Sequence, residues 1–250
     1  MKKNPSIYPF MLMMIAFIAC NKNPEPELNA SLTLVNAVSD QDSLLPVFDS
    51  AAFESAARLK GNILQYRNYV PANHLTVLAK THTVLFYPFT AQKKETPITT
   101  VNFQATANDA HTIIVLGTKA NPDHILLNGL PPFHERSDST FGIRFVNAAP
   151  DKKGIRIQIT SAGTQQNPID LTFKEKSSYL TVSALSEVSD MTISVLDQAT
   201  GALIKQYTLV NENDPGTDRN RWRYKNFTFV WLPKNKNGTW ADSPFLIQDF

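Results

Sequence analysis

A short phrase occurs twice in this chain of 250 residues, and it constrains the fold more than any other feature. Residues 34–40 read LVNAVSD and residues 145–151 read FVNAAPD, so that Asn147 lies 111 residues beyond Asn36. Asn and Asp side chains hydrogen-bond nearby backbone amides, and Pro150 fixes its own φ. Each copy therefore predicts a first strand and the turn into a second strand, and the duplication indicates two similar domains in tandem.

The rest of the chain is built from short runs rich in Val, Ile, Thr, Leu and Phe that are separated by Pro, Asn, Asp and Gly, which is typical of all-β domains. In one run Ile155, Ile157 and Ile159 alternate strictly with polar residues, as in a strand with one face in the core. Each half carries about seven such runs, as an immunoglobulin-like sandwich requires. We therefore expect two antiparallel β-sandwiches, in residues 30–136 and residues 137–250.

Residues 131–140 (PPFHERSDST) separate the two predicted sandwiches and have the polar, Pro-led composition of a linker. Contacts across such a linker are usually few, so each sandwich should hold its own core. Val35 and Val146 should then occupy equivalent core positions. Leu34 and Phe145 should lie on the opposite face of their strands, partly exposed or under a loop. On this interpretation Val146→Asp unfolds the second sandwich and leaves the first one folded.

Residues 51–62 (AAFESAARLKGN) depart from the β pattern, because their apolar residues recur at helical spacing. Ser50 suits the start of a helix, and Gly61 suits a left-handed end. The sequence predicts one or two helical turns there.

The N-terminus has the features of an export signal. Lys2 and Lys3 give it a positive start, and residues 8–19 form an apolar run that is too short to span a bilayer. Cys20 follows directly and is the only Cys in the chain. An unpaired Cys in an exported protein requires an explanation.

Residues 17–20 (FIAC) resemble the lipobox of bacterial lipoproteins. The resemblance implies removal of a signal peptide, residues 1–19, and diacylglyceryl modification of Cys20, with residues 20–29 as the lipidated Cys and tether. Acyl chains would then hold the protein on the lipid bilayer. Asn21, rather than the Asp associated with inner-membrane retention in enterobacteria, implies the outer membrane. The alternative is an ordinary secretory signal, or an N-terminal anchor helix, with an incidental Cys.

The repeated phrase also resembles the opening of the bacterial DUF4397 domain, in which a strand ends in Val-Asn/His-Ala-Ser/Ala-Pro-Asp. Residues 68–79 and 100–118 are similar to later segments of that family. Ser39 departs from the family pattern, which has Pro at that place. The resemblance implies an extracytoplasmic β-sandwich and brings no catalytic residues.

The sequence carries no Gly-x-Ser-x-Gly, P-loop, Gly-x-Gly-x-x-Gly or His-Glu-x-x-His motif, so we expect neither an enzyme nor a cofactor. The five His residues show no metal-ligand spacing. Asp40-Gln41-Asp42 favours a plain turn over a Ca²⁺ loop, because no Gly or later Glu completes it. Without Lys2 and Lys3 the acidic and basic residues balance, so the surface has no general attraction for nucleic acid.

The best candidate for a binding surface is residues 219–233 (RNRWRYKNFTFVWLP). The residues in it that we expect to contact a ligand or partner are Arg219, Arg221, Trp222, Arg223 and Tyr224. In an extended strand the Arg residues share one side with the later Phe residues, so either a bulge shifts the register or the Arg part projects beyond the sheet. The alternative to binding is a last core strand with solvated Arg residues. Residues 235–250, which include Trp240, either pack back on the second sandwich or form a contact surface.

These patterns predict a membrane-anchored, extracytoplasmic, non-catalytic lipoprotein that acts in protein contact, adhesion or envelope structure. Its expected partners are the bilayer, through acylated Cys20, and an envelope protein or glycan. The alternative is a carbohydrate-binding accessory lipoprotein, which predicts two or three coplanar aromatic rings exposed on one sheet face or loop rim. An enzyme would need a pocket with converging titratable groups. The burial or exposure of Trp222, Trp231 and Trp240 discriminates between these functions.

Overall fold

The structure is a computed structural model and describes residues 28–48, 63–69, 74–89, 96–161, 164–185, 190–210, 222–235 and 237–249. These residues form strands and turns, and none of them belongs to a helix, membrane-spanning or otherwise. The helix expected in residues 51–62 and the export signal with Cys20 lie outside the described residues.

The strands are β1 (Asn29–Val38), β2 (Ser43–Phe48), β3 (Leu64–Gln65), β4 (His74–Leu78), β5 (Thr81–Pro88), β6 (Thr99–Gln104), β7 (Ala110–Gly117), β8 (Pro122–Asn128), β9 (Thr140–Asn147), β10 (Ile155–Ser161), β11 (Thr164–Gln165), β12 (Ile169–Leu171), β13 (Leu180–Ser183), β14 (Met191–Asp197), β15 (Leu203–Leu209), β16 (Asn226–Trp231) and β17 (Phe245–Asp249).

The strands form four sheets, two in each half of the chain. In the first half the strand orders are β4-β1-β7-β8 and β3-β2-β5-β6. In the second half they are β13-β9-β16-β17 and β11-β10-β14-β15, with β12 also paired to β10. The same order thus recurs, with β9 in the place of β1 and β16 in the place of β7. The prediction of an all-β fold made of β-sandwiches is confirmed.

Each half also contains a parallel strand pair, which the expectation of purely antiparallel sandwiches did not include. Strand β1 pairs with β7 over Ser31–Val38, and β9 pairs with β16 over Gly142–Asn147. This pairing places the first strand of each half in the interior of its sheet. Such a strand is buried on both faces and reads as a nearly continuous apolar run, as LTLVNAV does in β1.

The Asn residues of the repeated phrase perform the same structural task in both halves. The Asn36 side chain donates to the carbonyls of Gln41 (3.1 Å) and Leu64 (3.2 Å), and its Oδ1 accepts from the Val38 amide. The Asn147 side chain likewise donates to two carbonyls and accepts from the amide two residues later, at 3.2 Å. Both Asn residues are fully buried. The phrase recurs because each sandwich needs a side chain that ties its first turn to a neighbouring strand.

The described residues form a small apolar cluster of Leu45, Val47 and Tyr87 and three larger ones that pack the sheets together. One lies between the two sheets of the first half and includes Leu34 and Phe86, and another lies between the two sheets of the second half and includes Phe145 and Phe229. The third lies between the halves, where the outer faces of the β4-β1-β7-β8 and β13-β9-β16-β17 sheets pack together. It comprises Val35, Ala37, Ile114, Leu116, Ile125, Leu127, Val146, Ala148, Val230, Leu232, Phe245 and Ile247.

This packing corrects the expected facing of the first strands. Leu34 and Phe145 are not partly exposed; they are buried inside the two sandwiches. Val35 and Val146 do occupy equivalent positions, but they face the cluster between the halves. The expectation of few contacts across the linker was therefore wrong, because each first strand belongs to a sheet that is covered on both sides.

Polar contacts at the edge of this interface are reciprocal. Arg67 follows β3 and Lys174 follows β12, and their φ angles are positive, at 52° and 70°. The Arg67 amide donates to the Asn36 carbonyl, and the Lys174 amide donates to the Asn147 carbonyl. The Arg67 guanidinium donates to the carbonyls of Leu232 (3.0 Å) and Ser243 (2.5 Å). Lys174 Nζ donates to Asp123 Oδ1 at 2.8 Å, and Asp123 corresponds to Ser243 in the repeat. The halves thus meet through the same face, as subunits of a twofold dimer do.

Candidate partner-binding surface

The structure describes only part of the stretch that the sequence singled out for binding. Arg219 and Arg221 lie outside the described residues. Residues 222–224 form a turn before β16, so the extended alternation expected for Trp222, Arg223 and Tyr224 is wrong. The Lys225 amide closes the turn on the Trp222 carbonyl at 3.2 Å, and Tyr224 has a φ of 62°. The turn sends the three side chains to different places.

Trp222 is a core residue. Its ring packs against Phe141 and Phe227, with centroids 6.0 and 5.0 Å away, and its Nε1 donates to the Val210 carbonyl at 2.9 Å. Its edge lines a cavity of about 340 Å³ together with Tyr69. Trp222 therefore contributes to the fold of the second sandwich, and the exposed aromatic row that a sugar-binding strand would need is not present in residues 222–231.

Arg223 is partly buried and hydrogen-bonded to the protein. Its Nη2 donates to the Ala184 carbonyl at 3.3 Å, and its buried Nε has no hydrogen-bond partner among the residues that the structure describes.

Tyr224 belongs to an apolar surface that the linker forms. We define the linker surface as Leu130, Pro131, Pro132, Phe133 and Tyr224. Phe133 is 87% exposed, Leu130 is 64% exposed and Tyr224 is 39% exposed. A cavity of about 570 Å³ lies among these residues and is also bordered by His134, Arg136 and Asn226. The linker is thus not simply polar, as its composition suggested, but carries a large apolar side chain in solvent.

Four hydrogen bonds, of which the one between His134 and Asn226 is buried, fix the linker on the second sandwich. Asn226 donates from Nδ2 to the Pro132 carbonyl at 2.9 Å, so its Oδ1 is free to accept from His134 Nε2 at 2.9 Å. His134 Nδ1 then accepts from the Thr140 hydroxyl at 3.0 Å. The Tyr224 hydroxyl donates to the Arg136 carbonyl at 2.5 Å. These bonds hold the backbone on both sides of Phe133.

Gly142 makes room for this arrangement. A Cβ at that position would lie 2.0 Å from Asn226 Oδ1 and 3.2 Å from His134 Nε2. A Gly inside a strand often marks a close approach of this kind. Gly142 in FGIRF, together with a Phe in a Pro-rich linker, is the sequence signal that could have identified this surface.

The linker surface offers apolar contact and little reactive chemistry. Within the described ranges no group of three or more His, Cys, Asp or Glu residues is placed to hold a metal ion. Large exposed aromatic side chains on a fixed backbone are typical of protein contact sites, because they bury much area and lose little conformational entropy on binding. The linker surface is therefore suited to binding a protein partner.

The remaining predicted residue, Trp240, is 46% exposed and lies in the connection between β16 and β17. The residues after it form β17, which pairs with β16 over Phe245–Asp249, so the end of the tail packs back on the second sandwich. The turn at Asp40-Gln41-Asp42 connects β1 and β2, with the Gln41 amide bonded to the Val38 carbonyl at 3.1 Å.

Comparisons with known proteins add little to this geometry. No family model and no curated protein matches the chain. Among solved structures, a candidate adhesin from Bacteroides ovatus aligns with 88% of this chain and 93% of its own, at 11% sequence identity and a TM-score of 0.21. At that TM-score the alignment supports no conclusion, so a function has to be argued from the site itself.

Proposed function

We propose that this protein is a lipid-anchored, non-catalytic component of the bacterial cell envelope whose linker surface binds a protein partner. The observation that carries the proposal is Phe133, which is 87% exposed on a backbone that a buried and a part-buried hydrogen bond to Asn226 hold in place. Burying a Phe side chain contributes about 1.5–3 kcal/mol. A partner that covers Phe133 and Leu130 would remove both side chains from water, and this burial would stabilise the complex.

The proposed location rests on the sequence. The lipobox-like residues 17–20 and the unpaired Cys20 support lipidation, and Asn21 supports the outer membrane. The resemblance of the repeated phrase to DUF4397 supports an extracytoplasmic sandwich protein. A tether of residues 20–29 reaches about 30 Å when extended. The folded part would therefore lie close to the membrane and act in protein contact, adhesion or envelope structure.

The proposal is tested by photo-crosslinking in intact cells, with the crosslinking amino acid at position 133 in one strain and at position 203 in another. Leu203 is a matched control, because it is 59% exposed and lies in β15. We expect a discrete, protease-sensitive adduct from position 133 that position 203 does not give. Identical adducts from both positions, or none from position 133, would contradict a protein partner at the linker surface.

Affinity measurements with the identified partner give the second test. Phe133→Ala should weaken binding by about tenfold or more, since an exposed aromatic anchor typically accounts for over 1 kcal/mol. Leu203→Ala should leave the affinity unchanged.

A further inference from the structure

A cleft in the second half is separate from the linker surface and shares no residue with it. Its volume is about 270 Å³, and Trp231 and Trp240 form its aromatic wall, with ring centroids 6.5 Å apart and planes tilted by 39°. Trp231 is buried, whereas Trp240 is 46% exposed. The cleft therefore has a fixed apolar base and one aromatic side chain that is open to solvent.

A compact turn presents Trp240. The Asn235 amide donates to the Thr239 carbonyl at 2.8 Å, and the Gly238 amide donates to the Asn235 carbonyl at 2.9 Å. Asn237 Oδ1 accepts from both the amide (3.1 Å) and the hydroxyl (2.6 Å) of Thr239. Gly238 has a φ of 79°, which a residue with a side chain rarely adopts. Fixed side chains bind with a smaller loss of entropy than mobile ones.

This turn is where the second half departs from the repeat. The matching connection of the first half, between β7 and β8, is residues 118–121 (TKAN) and holds no aromatic residue. The connection between β16 and β17 is longer and carries Trp240. Since the first half forms the same pair of sheets with a short connection, the fold does not require the extra turn or its Trp.

Charged groups of both signs surround the aromatic wall. Asp151 and Lys153 come from the turn that follows the second copy of the repeated phrase, and Lys234 begins the turn that presents Trp240. Asp151 Oδ1 accepts from the Lys153 amide at 3.3 Å, and Lys234 Nζ lies 6.0 Å from the centre of the Trp240 ring. The carboxylate accepts hydrogen bonds and the ammonium groups donate them.

We propose that this cleft binds a pyranose sugar. A pyranose presents an apolar face of C–H groups, which packs on an aromatic ring, and a rim of hydroxyl groups, which both donate and accept hydrogen bonds. Trp240 alone provides the exposed ring, so the site differs from the row of two or three coplanar rings that the sequence-based alternative predicted. Asp151 accepts from hydroxyl groups, and Lys153 and Lys234 donate to them. The volume admits one or two sugar rings rather than a long chain, so the site recognises the end of a glycan or a single residue of it.

The test uses the full chain in detergent micelles and the methyl glycosides of glucose, galactose, mannose, N-acetylglucosamine and glucuronic acid. Binding is followed by saturation-transfer NMR and by tryptophan fluorescence. We expect at least one glycoside to bind saturably with a Kd on the order of 1 mM. Trp240→Ala should lower that affinity at least tenfold, Asp151→Asn should lower it less, and Trp240→Phe should retain part of it.

Phe133→Ala is the matched control, because it lies on the linker surface and should bind the glycoside as the parent chain does. An unchanged urea midpoint shows that each variant is folded. The proposal is overturned if no glycoside binds, or if folded Trp240→Ala binds as tightly as the parent. It is also overturned if a proline-rich peptide binds through Trp240 while every glycoside fails.

Discussion

Phe145 and Val146 are neighbours in β9, yet their side chains belong to different apolar clusters. Phe145 packs inside the second sandwich against Phe229, with ring centroids 5.4 Å apart, and Val146 faces the interface between the halves. Successive side chains of a strand point to opposite faces. Folding of the second sandwich therefore depends on Phe145, and assembly of the two halves depends on Val146. Single substitutions can test the two separately.

Substitution of either neighbour by Asp should give distinct products in limited proteolysis. Phe145→Asp places a carboxylate inside the second sandwich and should unfold it, leaving a protected fragment that ends near the linker. Val146→Asp places the charge between the halves, where it should separate them, expose residues 129–139 to cleavage and leave two protected fragments. This replaces the expectation that Val146→Asp unfolds the second sandwich. An unpaired buried carboxylate costs several kcal/mol.

Leu203→Asp serves as the control for this pair, because its side chain is already exposed. If Val146→Asp and Phe145→Asp gave the same fragments, the two clusters would not act as separate units.

Removal of the buried Asn side chain should destabilise either half. Asn147→Ala leaves the Ala149 amide and the Leu171 carbonyl without their partner and should lower the free energy of unfolding by about 2–5 kcal/mol. Asn36→Ala should have a similar effect, because its side chain makes the same bonds. Urea titration measures both, with the exposed Asn102→Ala as control. A loss below about 0.5 kcal/mol, as at surface sites, would contradict a structural role.

His74 should make the stability of the protein depend on pH. Burial lowers the pKa of His74 from its ordinary value of 6.5, against the opposing effects of the Gln248 backbone and the Asp249 charge. The unfolded chain therefore takes up a proton at a higher pH than the folded chain. Stability is complete above pH 6.5 and falls as the pH decreases from 6.5 to the lowered pKa.

The melting temperature should therefore drop less for His74→Gln than for the parent chain between about pH 7.5 and about pH 5.5. Thr76→Gln, at an exposed position of the same strand that carries no ionisable group, should follow the parent chain. An identical drop for His74→Gln and the parent would show that folding leaves the pKa of His74 unchanged, which would contradict the prediction.

Cys20→Ser should abolish lipidation and leave an unprocessed precursor in the membrane fraction, because the acylated thiol is what marks the signal peptide for removal in lipoproteins. Labelling with radioactive palmitate and the mobility of the protein on a gel measure the two effects. A serine variant that is processed normally and remains on the membrane would show that the N-terminal segment has another role.

The sequence allowed the strands to be predicted where one face of a sheet meets solvent. In β10 the alternation of Ile155, Ile157 and Ile159 with polar residues matches their burial. The same reasoning failed for β1 and β9, because both faces of these strands are buried, including polar Thr33 and Arg144, and alternation cannot tell which face meets which core. The interface between the halves therefore escaped prediction, and so did the facing of Leu34 and Phe145.

The candidate site was harder to predict than the fold. Trp222 and Arg223 looked suited to binding in an extended strand, but the turn at Tyr224 buries the indole and pins the guanidinium. Phe133 was assigned to a polar linker. Composition does not reveal that Asn226, which is distant from the linker in sequence, bonds to His134 and to the Pro132 carbonyl and holds that backbone in place. Both outcomes depend on contacts between residues far apart in the chain.

The position of β1 also determines how the molecule resists mechanical force. The strand begins at Asn29 and is hydrogen-bonded to β4 along its first part and to β7 along Ser31–Val38. Tension applied at the N-terminal end, where a lipid anchor would transmit it, runs along the strand. The hydrogen bonds that flank β1 are then strained together in shear instead of opening one after another. The chain thus places a strand that is hydrogen-bonded on both sides next to the point at which it would be pulled.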